Sequence, residues 1–216
     1  MTPGLPSSVV MVETRVDAPE SSAWPAESTA VAGLPDARRA EYVTVRDCAR
    51  QALARLGVPP APIIDDARGA PVWPRGIVGA MTHCRGYRAA AVARVGDVTA
   101  LGIDAEPAEA LPTGIGRRIS ADAEWASIEV LTRQDAGVPW DRLLFSAKES
   151  VYKAWYPLTR IGLDFLAVDI TLQPDGQGHV TFLRDLPDEV AGLQWQLGWQ
   201  IEDSIIKTAV WSKRKH

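Results

Sequence analysis

Two stretches with helical periodicity, each followed by short strand-like runs, most constrain the fold of this 216-residue chain. Between residues 35 and 56, apolar side chains recur at steps of three to four residues, which is typical of an amphipathic helix, and Gly57 and Pro59 end the pattern. A second long helical pattern occupies 141–155, and a shorter one precedes it at 121–133. A helix followed by antiparallel strands, repeated once along the chain, predicts an α+β fold built from two similar α/β halves.

The strand-like runs divide between the two halves. One short strand is expected at 9–13, three runs follow the first helix at 77–82, 87–95 and 98–103, and four follow the second at 164–172, 179–184, 191–201 and 204–211. Gly96-Asp97 indicates a β-hairpin between two of these runs. We expect a first half at 1–108, with an arginine-rich helix and a three-strand meander that ends in paired acids. The second half, 109–216, would hold the 141–155 helix and antiparallel strands.

The composition excludes several classes of protein. Hydrophobic residues make up 46% of the chain and charged residues 23%, which excludes a disordered, collagen-like or coiled-coil protein. A net charge of -4 argues against a protein that coats nucleic acid, because binding to phosphate backbones needs a broad basic surface. The chain has neither an apolar run of about eighteen residues nor a signal-peptide pattern, so we predict a cytoplasmic protein that binds no membrane. Cys48 and Cys84 lack the spacing of a disulfide framework or a thiolate metal site.

Five arginines lie between residues 38 and 55, although the chain as a whole is acidic. By helical spacing, Arg39, Arg46 and Arg50 fall on one side of the helix and are able to converge on one multiply charged ligand. A solvated helix face is the commoner explanation for such a run of charges. At this level both interpretations stay open.

Three acidic residues in two separate segments suggest a metal site. Asp104 and Glu106 project to the same side of a strand end, because side chains alternate along a strand. Glu149 lies one helical turn before Lys153, where the simplest interpretation is an ordinary surface ion pair. Combined with the arginine-rich helix, these acids describe a hard cation facing phosphates, for which Mg²⁺ is the natural choice. His83 ends a strand next to Thr82 and could contact phosphate, although a lone histidine is more often structural.

Four motifs in a fixed order resemble those of the 4'-phosphopantetheinyl transferases, in the surfactin-type and enterobactin-type branch and especially its actinobacterial members. Gly-Ile-Asp-Ala-Glu-Pro at 102–107 and Phe-Ser-Ala-Lys-Glu-Ser-Val-Tyr-Lys-Ala-Trp at 145–155 are similar to the signature pair of that family. Thr82-His83 and the arginine-rich helix are similar to its motifs for contact with coenzyme A. The resemblance extends from about Arg38 to Trp211, and it implies a pseudodimer of two similar α/β halves with coenzyme A and Mg²⁺ bound at their junction.

The resemblance also implies roles for individual residues. Mg²⁺, or Mn²⁺ in its place, would be held by Asp104, Glu106 and Glu149, with Glu149 and Lys153 as the catalytic residues. The residues implied to contact coenzyme A are Arg38, Arg39, Arg46, Arg68, Thr82, His83, Asp104, Lys148 and Lys153. Of these, Arg38, Arg46 and His83 would hold the adenosine 3'-phosphate, and Lys148 and Lys153 would face the pyrophosphate. Arg68 stands where many members have lysine, Phe145 where tryptophan is frequent, and Ser150 where alanine is usual.

The activity implied is transfer of the 4'-phosphopantetheine arm from coenzyme A to a serine of an apo acyl or peptidyl carrier protein, releasing adenosine 3',5'-bisphosphate. The carrier would dock near Arg117, Arg118 and the 121–133 helix, unless these form only a linker and a surface helix. Because both halves are in one chain, we expect a monomer. Two other classes stay open: a Mg²⁺-dependent phosphodiesterase or nuclease, which would need no protein acceptor, and a silent protein that binds coenzyme A without transfer.

Overall fold

Two antiparallel sheets, each packed against one long helix, organise residues 4–214, the part of the chain that the computed structural model describes. The strands are β1 (Val10–Thr14), β2 (Ile77–Cys84), β3 (Tyr87–Arg94), β4 (Ala100–Pro107), β5 (Val168–Leu172), β6 (Gln177–Phe182), β7 (Leu193–Glu202) and β8 (Ile205–Arg214). The helices are α1 (Pro25–Val31), α2 (Asp36–Arg55), α3 (Ile115–Ile119), α4 (Asp122–Gln134) and α5 (Trp140–Thr159). Within this part of the chain, no helix combines the length and apolar character needed to cross a bilayer.

The smaller sheet has the strand order β1-β3-β2, and the larger sheet has the order β4-β8-β7-β6-β5. Helix α2 covers the smaller sheet, where Ala49, Ala52 and Leu53 are fully buried. Helix α5 covers the larger sheet, where Leu144 and Val151 are fully buried. The predicted α+β fold with two α/β halves is therefore confirmed, and so are the short N-terminal strand and both long helices.

The predicted three-strand meander is wrong in its third strand. β4 pairs with β8 in the larger sheet, and no hairpin forms at Gly96-Asp97 between β3 and β4. The physical reason is that β3 is the central strand of the smaller sheet, with β1 on one side and β2 on the other, so it has no free edge for β4. The division of the chain at residue 108 stays a prediction.

One close contact decides how α5 lies on the larger sheet. A Cβ atom added at Gly102 of β4 would stand 1.9 Å from the carbonyl oxygen of Ser150 and 2.7 Å from the backbone nitrogen of Ala154. Glycine thus lets α5 rest directly on the backbone of β4. This approach brings the helix residues near 149–153 to the strand residues near 104.

The two sheets meet where β2 runs beside β4. Thr82 of β2 joins them, because its Oγ1 accepts a hydrogen bond from the N–H of Ala105 at 3.0 Å and donates one to Oδ1 of Asp104 at 3.1 Å. The side chain of Thr82 thus connects β2 to β4, as backbone hydrogen bonds connect neighbouring strands inside a sheet. As a result α2 and β2 lie beside α5, which packs on β4.

Candidate active site

A cleft of about 480 Å³ lies between the first half of α2 and the second half of α5. Its walls come from both halves of the molecule: α2, the segment 65–71, β2 and α5. The charged and histidine side chains on these walls are Arg38, Glu41, Arg46, Asp65, Arg68, His83, Glu149 and Lys153. The cleft therefore collects residues that are up to 115 positions apart, from Arg38 to Lys153.

Asp104 is a firmly held carboxylate beside this cleft, and it is only 7% exposed. Its Oδ1 accepts hydrogen bonds from Nζ of Lys153 at 2.7 Å and from Oγ1 of Thr82. Its Oδ2 accepts a hydrogen bond from Oγ of Ser146 at 2.8 Å, and Ser146 in turn lies 2.9 Å from Oγ1 of Thr208. Donors from β2 and α5 thus fix this side chain between the two sheets.

Glu106 lies two residues further along β4 and forms an ion pair with Arg142, whose Nη1 is 3.0 Å from Oε2. Burial raises the pKa of Glu106, the charge of Asp104 raises it further, and Arg142 opposes both effects. Asp104 and Glu106 stand two residues apart on β4, so their side chains project to the same face of the strand.

Glu149 is a partly buried carboxylate on the wall of the cleft, and within residues 4–214 it has no hydrogen bond and no ion pair. Burial raises its pKa; Lys153 opposes that effect, while the charges of Asp104 and Glu106 add to it. A partly buried carboxylate without a partner is costly, so this group is suited to meet a ligand or to accept a proton.

The described residues contain no group of three or more His, Cys, Asp or Glu side chains arranged to hold a metal ion. The reason is visible in the contacts: Asp104 is turned to Lys153, and Glu106 is turned to Arg142. The donor chemistry nevertheless fits a hard divalent cation, since all three acids offer carboxylate oxygens and their charges act on one another. A cation would relieve that repulsion.

Arg38 and His83 form the basic end of the cleft. Nη1 of Arg38 is 2.7 Å from Nε2 of His83 and 2.9 Å from Oε2 of Glu41. Because an arginine only donates, His83 accepts here through Nε2 as a neutral imidazole. Burial lowers the pKa of His83, Glu41 opposes this, and the charges of Arg38 and Lys153 lower it further.

Arg46 and Arg68 both line the cleft but differ in their partners. The side chain of Arg46 is 3% exposed and donates to the carbonyl oxygens of Ile63 and Tyr42 and to Asp65. Arg68 is exposed, and in the part of the chain described here its guanidinium has no ion pair. Of these two guanidinium groups, that of Arg68 is the more available to a ligand.

Of the residues expected to contact coenzyme A, four do not line this cleft: Arg39, Thr82, Asp104 and Lys148. Lys148 is buried, where its Nζ pairs with Glu124 at 2.8 Å and donates to the carbonyl oxygens of Phe165 and Val168. It precedes Glu149 by one residue, so the helix turns it about 100° away. Arg39 is likewise turned from the cleft and pairs with Glu20 and Asp36. Thr82 is buried at the sheet junction, so its contact is with Asp104.

Several site residues escaped the sequence analysis. Arg142 stands seven residues before Glu149, two helical turns along the same face, so helical spacing offered a signal for it. Tyr152 and Tyr156 share that face and stack with their ring centres 5.9 Å apart. Ser146 lies inside the quoted motif, but only the folded structure reveals its bond to Asp104.

A smaller groove of about 200 Å³ adjoins the cleft, and Glu149 and Tyr152 line both spaces. Leu163, Phe165 and Val168 give the groove an apolar wall, and Lys148 and Asp164 also border it. Glu149 therefore stands between the cleft and a groove with one apolar wall.

Two protein-family models match this chain. The model described as the 4'-phosphopantetheinyl transferase N-terminal domain matches residues 26–93, which include α2, β2 and most of β3. The model described as the 4'-phosphopantetheinyl transferase superfamily matches residues 100–209, which extend from β4 into β8 and include α5.

Curated relatives extend the similarity to nearly the whole chain. The 4'-phosphopantetheinyl transferase Svp of Streptomyces mobaraensis is 45% identical over 213 residues, which cover 95% of this chain and 86% of that protein. The 4'-phosphopantetheinyl transferase PptT of Mycobacterium tuberculosis is 48% identical over 162 residues, which cover 75% of this chain and 70% of that protein. Among solved structures, the holo-[acyl-carrier-protein] synthase of Thermotoga maritima has a TM-score of 0.44 at 20% identity and covers 55% of this chain and 65% of its own.

Proposed function

This chain belongs to the 4'-phosphopantetheinyl transferase superfamily and transfers the 4'-phosphopantetheine arm of coenzyme A to a carrier protein; we propose that the cleft between α2 and α5 is where it does so. The observation that carries the proposal is Glu149, a carboxylate that has no partner among residues 4–214, on the wall of a cleft that also holds arginines and a histidine. Such a cleft suits a polyanionic substrate and a step that needs a proton acceptor.

Coenzyme A would place its phosphates at the basic end of the cleft. Arg38 and His83 are in contact with each other and line the cleft together, which favours them for the 3'-phosphate. Arg68, whose guanidinium has no ion pair within the described residues, supplies a further charge from the 65–71 segment. The N–H groups of Arg46 already donate to Asp65 and two carbonyl oxygens. Arg46 would therefore hold this wall in place and contribute its positive charge. Tyr42, Tyr152 and Tyr156 offer flat apolar surface to the adenosine.

Mg²⁺, or Mn²⁺ in its place, would be held by Asp104, Glu106 and Glu149. When bound, it would neutralise pyrophosphate oxygens and stabilise the leaving phosphate. Lys153, which pairs with Asp104 in the free protein, would then be available to the same phosphates. The cation and the substrate would therefore be expected to bind together, because each compensates charges that the other exposes.

The chemical step exchanges one phosphorus–oxygen bond for another. The serine oxygen of the carrier attacks the β-phosphorus of coenzyme A, and the bond from that phosphorus to the bridging oxygen breaks. Adenosine 3',5'-bisphosphate leaves with the electron pair. Glu149, which has no hydrogen-bond partner within the described residues, accepts the serine proton. Lys153 stabilises the charge of the leaving phosphate, and positioning supplies much of the remaining rate enhancement.

The groove beyond Glu149 would hold the pantetheine arm of coenzyme A. Its apolar wall of Leu163, Phe165 and Val168 fits the pantetheine arm, which carries no charge, better than it fits a nucleotide. The arm would pass Glu149 as it leaves the cleft. The pyrophosphate then lies between the two spaces, beside the proposed base.

The acceptor would dock on the face formed by α3 and α4. Arg118 is exposed, and Arg117 is exposed while paired with Glu129 and close to the ring of Trp125. Positive charge next to an aromatic ring suits an acidic carrier with an apolar contact helix. Double replacement of Arg117 and Arg118 by glutamate should raise the KM for the carrier and leave the KM for coenzyme A unchanged.

Intact-protein mass spectrometry tests the whole proposal. Apo acyl and peptidyl carrier proteins are incubated with this protein, coenzyme A and Mg²⁺, beside an EDTA control and a carrier that lacks its serine. The expected result is the gain of one phosphopantetheine arm that needs both the metal and the serine. Breakdown of coenzyme A without modification of the carrier would favour a phosphodiesterase. Binding of coenzyme A without either reaction would favour a silent binding protein.

A further inference from the structure

A tight turn at residues 64–72 forms one rim of the cleft, and Asp66 builds it. Its Oδ1 accepts hydrogen bonds from the N–H groups of Arg68 at 2.9 Å and Ala70 at 3.0 Å, and its own N–H donates to the carbonyl oxygen of Ala70 at 2.8 Å. Gly69 occupies the left-handed position of the turn, with φ +81°. Through this turn the chain carries Arg68 to the wall of the cleft.

The second oxygen of Asp66 reaches α5, which belongs to the other half of the molecule. Oδ2 accepts hydrogen bonds from the hydroxyl of Tyr156 at 3.2 Å and from Nη1 of Arg160 at 2.8 Å. Arg160 caps the C-terminal end of α5 in the left-handed region, with φ 57°. One side chain thus shapes the turn and ties it to the helix that carries Glu149 and Lys153.

Asp65 makes the matching attachment to α2. Its Oδ1 accepts a hydrogen bond from Nη2 of Arg46 at 2.5 Å, and its Oδ2 accepts one from the hydroxyl of Tyr42 at 3.1 Å. Consecutive side chains of an extended segment point to opposite sides, so these two neighbouring carboxylates accept hydrogen bonds from two different helices. We call this pair, Asp65 and Asp66 with their bonds to α2 and α5, the Asp65–Asp66 clasp.

The clasp leaves Arg68 available to a ligand. Arg38 pairs with Glu41 and Arg46 pairs with Asp65, whereas Arg68 has no carboxylate partner within the described residues. Its guanidinium instead stands 5.9 Å from the centre of the Tyr156 ring, beside the residue that Asp66 holds. The two bonds of Asp66 to α5 therefore set both the place of Arg68 and the span between the turn and α5.

We propose that Asp66 is a positioning residue for the binding of coenzyme A. By fastening the 64–72 turn to α5, Asp66 holds Arg68 where its guanidinium contacts a phosphate of the substrate. The proposal rests on the function proposed above. Asp66 touches neither the substrate nor the reacting atoms in this scheme, so its loss should weaken binding of coenzyme A while leaving the chemical step intact.

The test compares Asp66→Ala, Arg68→Ala, the double variant and a matched control, Asp97→Asn, which changes an exposed aspartate in the turn after β3. KM and kcat for coenzyme A are measured with a carrier, and the affinity for coenzyme A is measured by calorimetry without one. We expect Asp66→Ala to raise KM about tenfold, equal to ~1.4 kcal/mol, with kcat within about twofold. The double variant should be no worse than Arg68→Ala, because Asp66 acts through Arg68. The control should match the parent.

A second variant tests the same contact if Asp66→Ala does not fold. Arg160→Asn removes the bond to Asp66 from the helix side, and asparagine tolerates the left-handed backbone there. It should raise KM for coenzyme A in the same direction. A KM within twofold of the parent for the variants that fold, or effects of Asp66 and Arg68 that multiply, would overturn the proposal. If the parent binds coenzyme A but modifies no carrier, the proposed function fails instead, and the calorimetric comparison of the variants still decides the role of Asp66.

Discussion

At the scale of single residues, the carboxylates around the cleft differ by their partners. Asp104 accepts three hydrogen bonds and Glu106 has an arginine, but Glu149 has neither within residues 4–214. Carboxylate groups around one cleft thus have two different roles. Asp104 is fixed in one orientation, whereas Glu149 is free to meet a ligand or a proton.

Replacing Glu149 by glutamine should lower kcat at least about 100-fold, because the amide can neither accept the serine proton nor supply a charged ligand. Without Mg²⁺, coenzyme A should bind within about threefold of the parent affinity, since Arg38, His83 and Arg68 are unchanged. Steady-state kinetics and calorimetry measure the two effects. Glu189→Gln, at an exposed position, is the matched control. A Glu149→Gln enzyme within tenfold of the parent kcat would remove Glu149 from the mechanism.

His83 should make the stability of the free protein depend on pH. Because burial lowers its pKa below the ordinary 6.5, the folded state resists protonation of the imidazole. Its stabilising contribution is present above that ordinary value and is lost as the pH falls through the lower folded-state pKa. Bound coenzyme A should reverse this trend, because a phosphate favours the imidazolium.

Denaturant unfolding at neutral pH and at two acidic values, with and without coenzyme A, measures this effect. His83→Gln should lose less stability on acidification than the parent does. Equal losses in the parent and the variant would show that His83 does not titrate in this interval.

At the scale of secondary-structure elements, the packing of α5 on β4 brings the acids of the two elements together. Gly102 allows the contact, and the residues that follow it on the strand include Asp104 and Glu106. The opposite side of α5 is held by the buried ion pair between Lys148 and Glu124 of α4, whose Oε1 also accepts the N–H of Ile170 at 2.6 Å. The helix is therefore fixed on both sides.

Gly102→Ala should destabilise the fold by roughly 3 kcal/mol or more, because the new methyl group meets backbone atoms of α5 that cannot move aside. Thermal or denaturant unfolding measures the loss. Gly96→Ala is the control, since a Cβ at that position has no atom within 4 Å and its φ is not in the left-handed region. Similar stabilities for the two variants would contradict the close packing of α5 on β4.

Lys148→Met should cost about 3–5 kcal/mol of folding free energy, because it leaves Glu124 buried and charged without its partner. Adding Glu124→Gln should recover part of the loss, since glutamine still accepts the N–H of Ile170. The affinity for coenzyme A should stay within about threefold, because Lys148 does not line the cleft and its Nζ, beside the groove, is already bound to Glu124 and two carbonyl oxygens. Denaturant unfolding and calorimetry check the two expectations. A large loss of affinity with unchanged stability would instead support the pyrophosphate contact expected from the sequence.

At the scale of the whole molecule, the cleft is complete within one chain. Its walls come from α2 and the 64–72 turn on one side and from α5 on the other, and the Asp65–Asp66 clasp and Thr82 join the two sides. A second copy is not needed to supply a wall or a charged side chain. This arrangement is the reason to expect activity from a single chain.

We therefore expect the protein to be a monomer of 23.4 kDa in solution. Size-exclusion chromatography with light scattering at two concentrations measures the mass. The specific activity should not depend on protein concentration. A mass twice as large, together with activity that falls on dilution, would contradict a self-sufficient chain.

The sequence by itself determined most of the larger elements and the residue types of the site, but not the short helices α1 and α3. Apolar periodicity predicts both long helices and most strands, because burial of one face imposes a period on the chain. The spacing of Asp104 and Glu106 and of Glu149 and Lys153 predicts which side chains share a face. The quoted motifs identify the family, since the order of four motifs is far more specific than any one of them.

Only the tertiary structure decided which neighbours each of these groups has. β4 joins the larger sheet because β1 already occupies the free edge of β3, and that competition between strands is invisible in a local pattern. Lys148 pairs with Glu124, and Arg46 pairs with Asp65, because burying a charge requires a partner from a distant part of the chain. Sequence spacing fixes the direction of a side chain on its own element, whereas its partners depend on how separate elements pack.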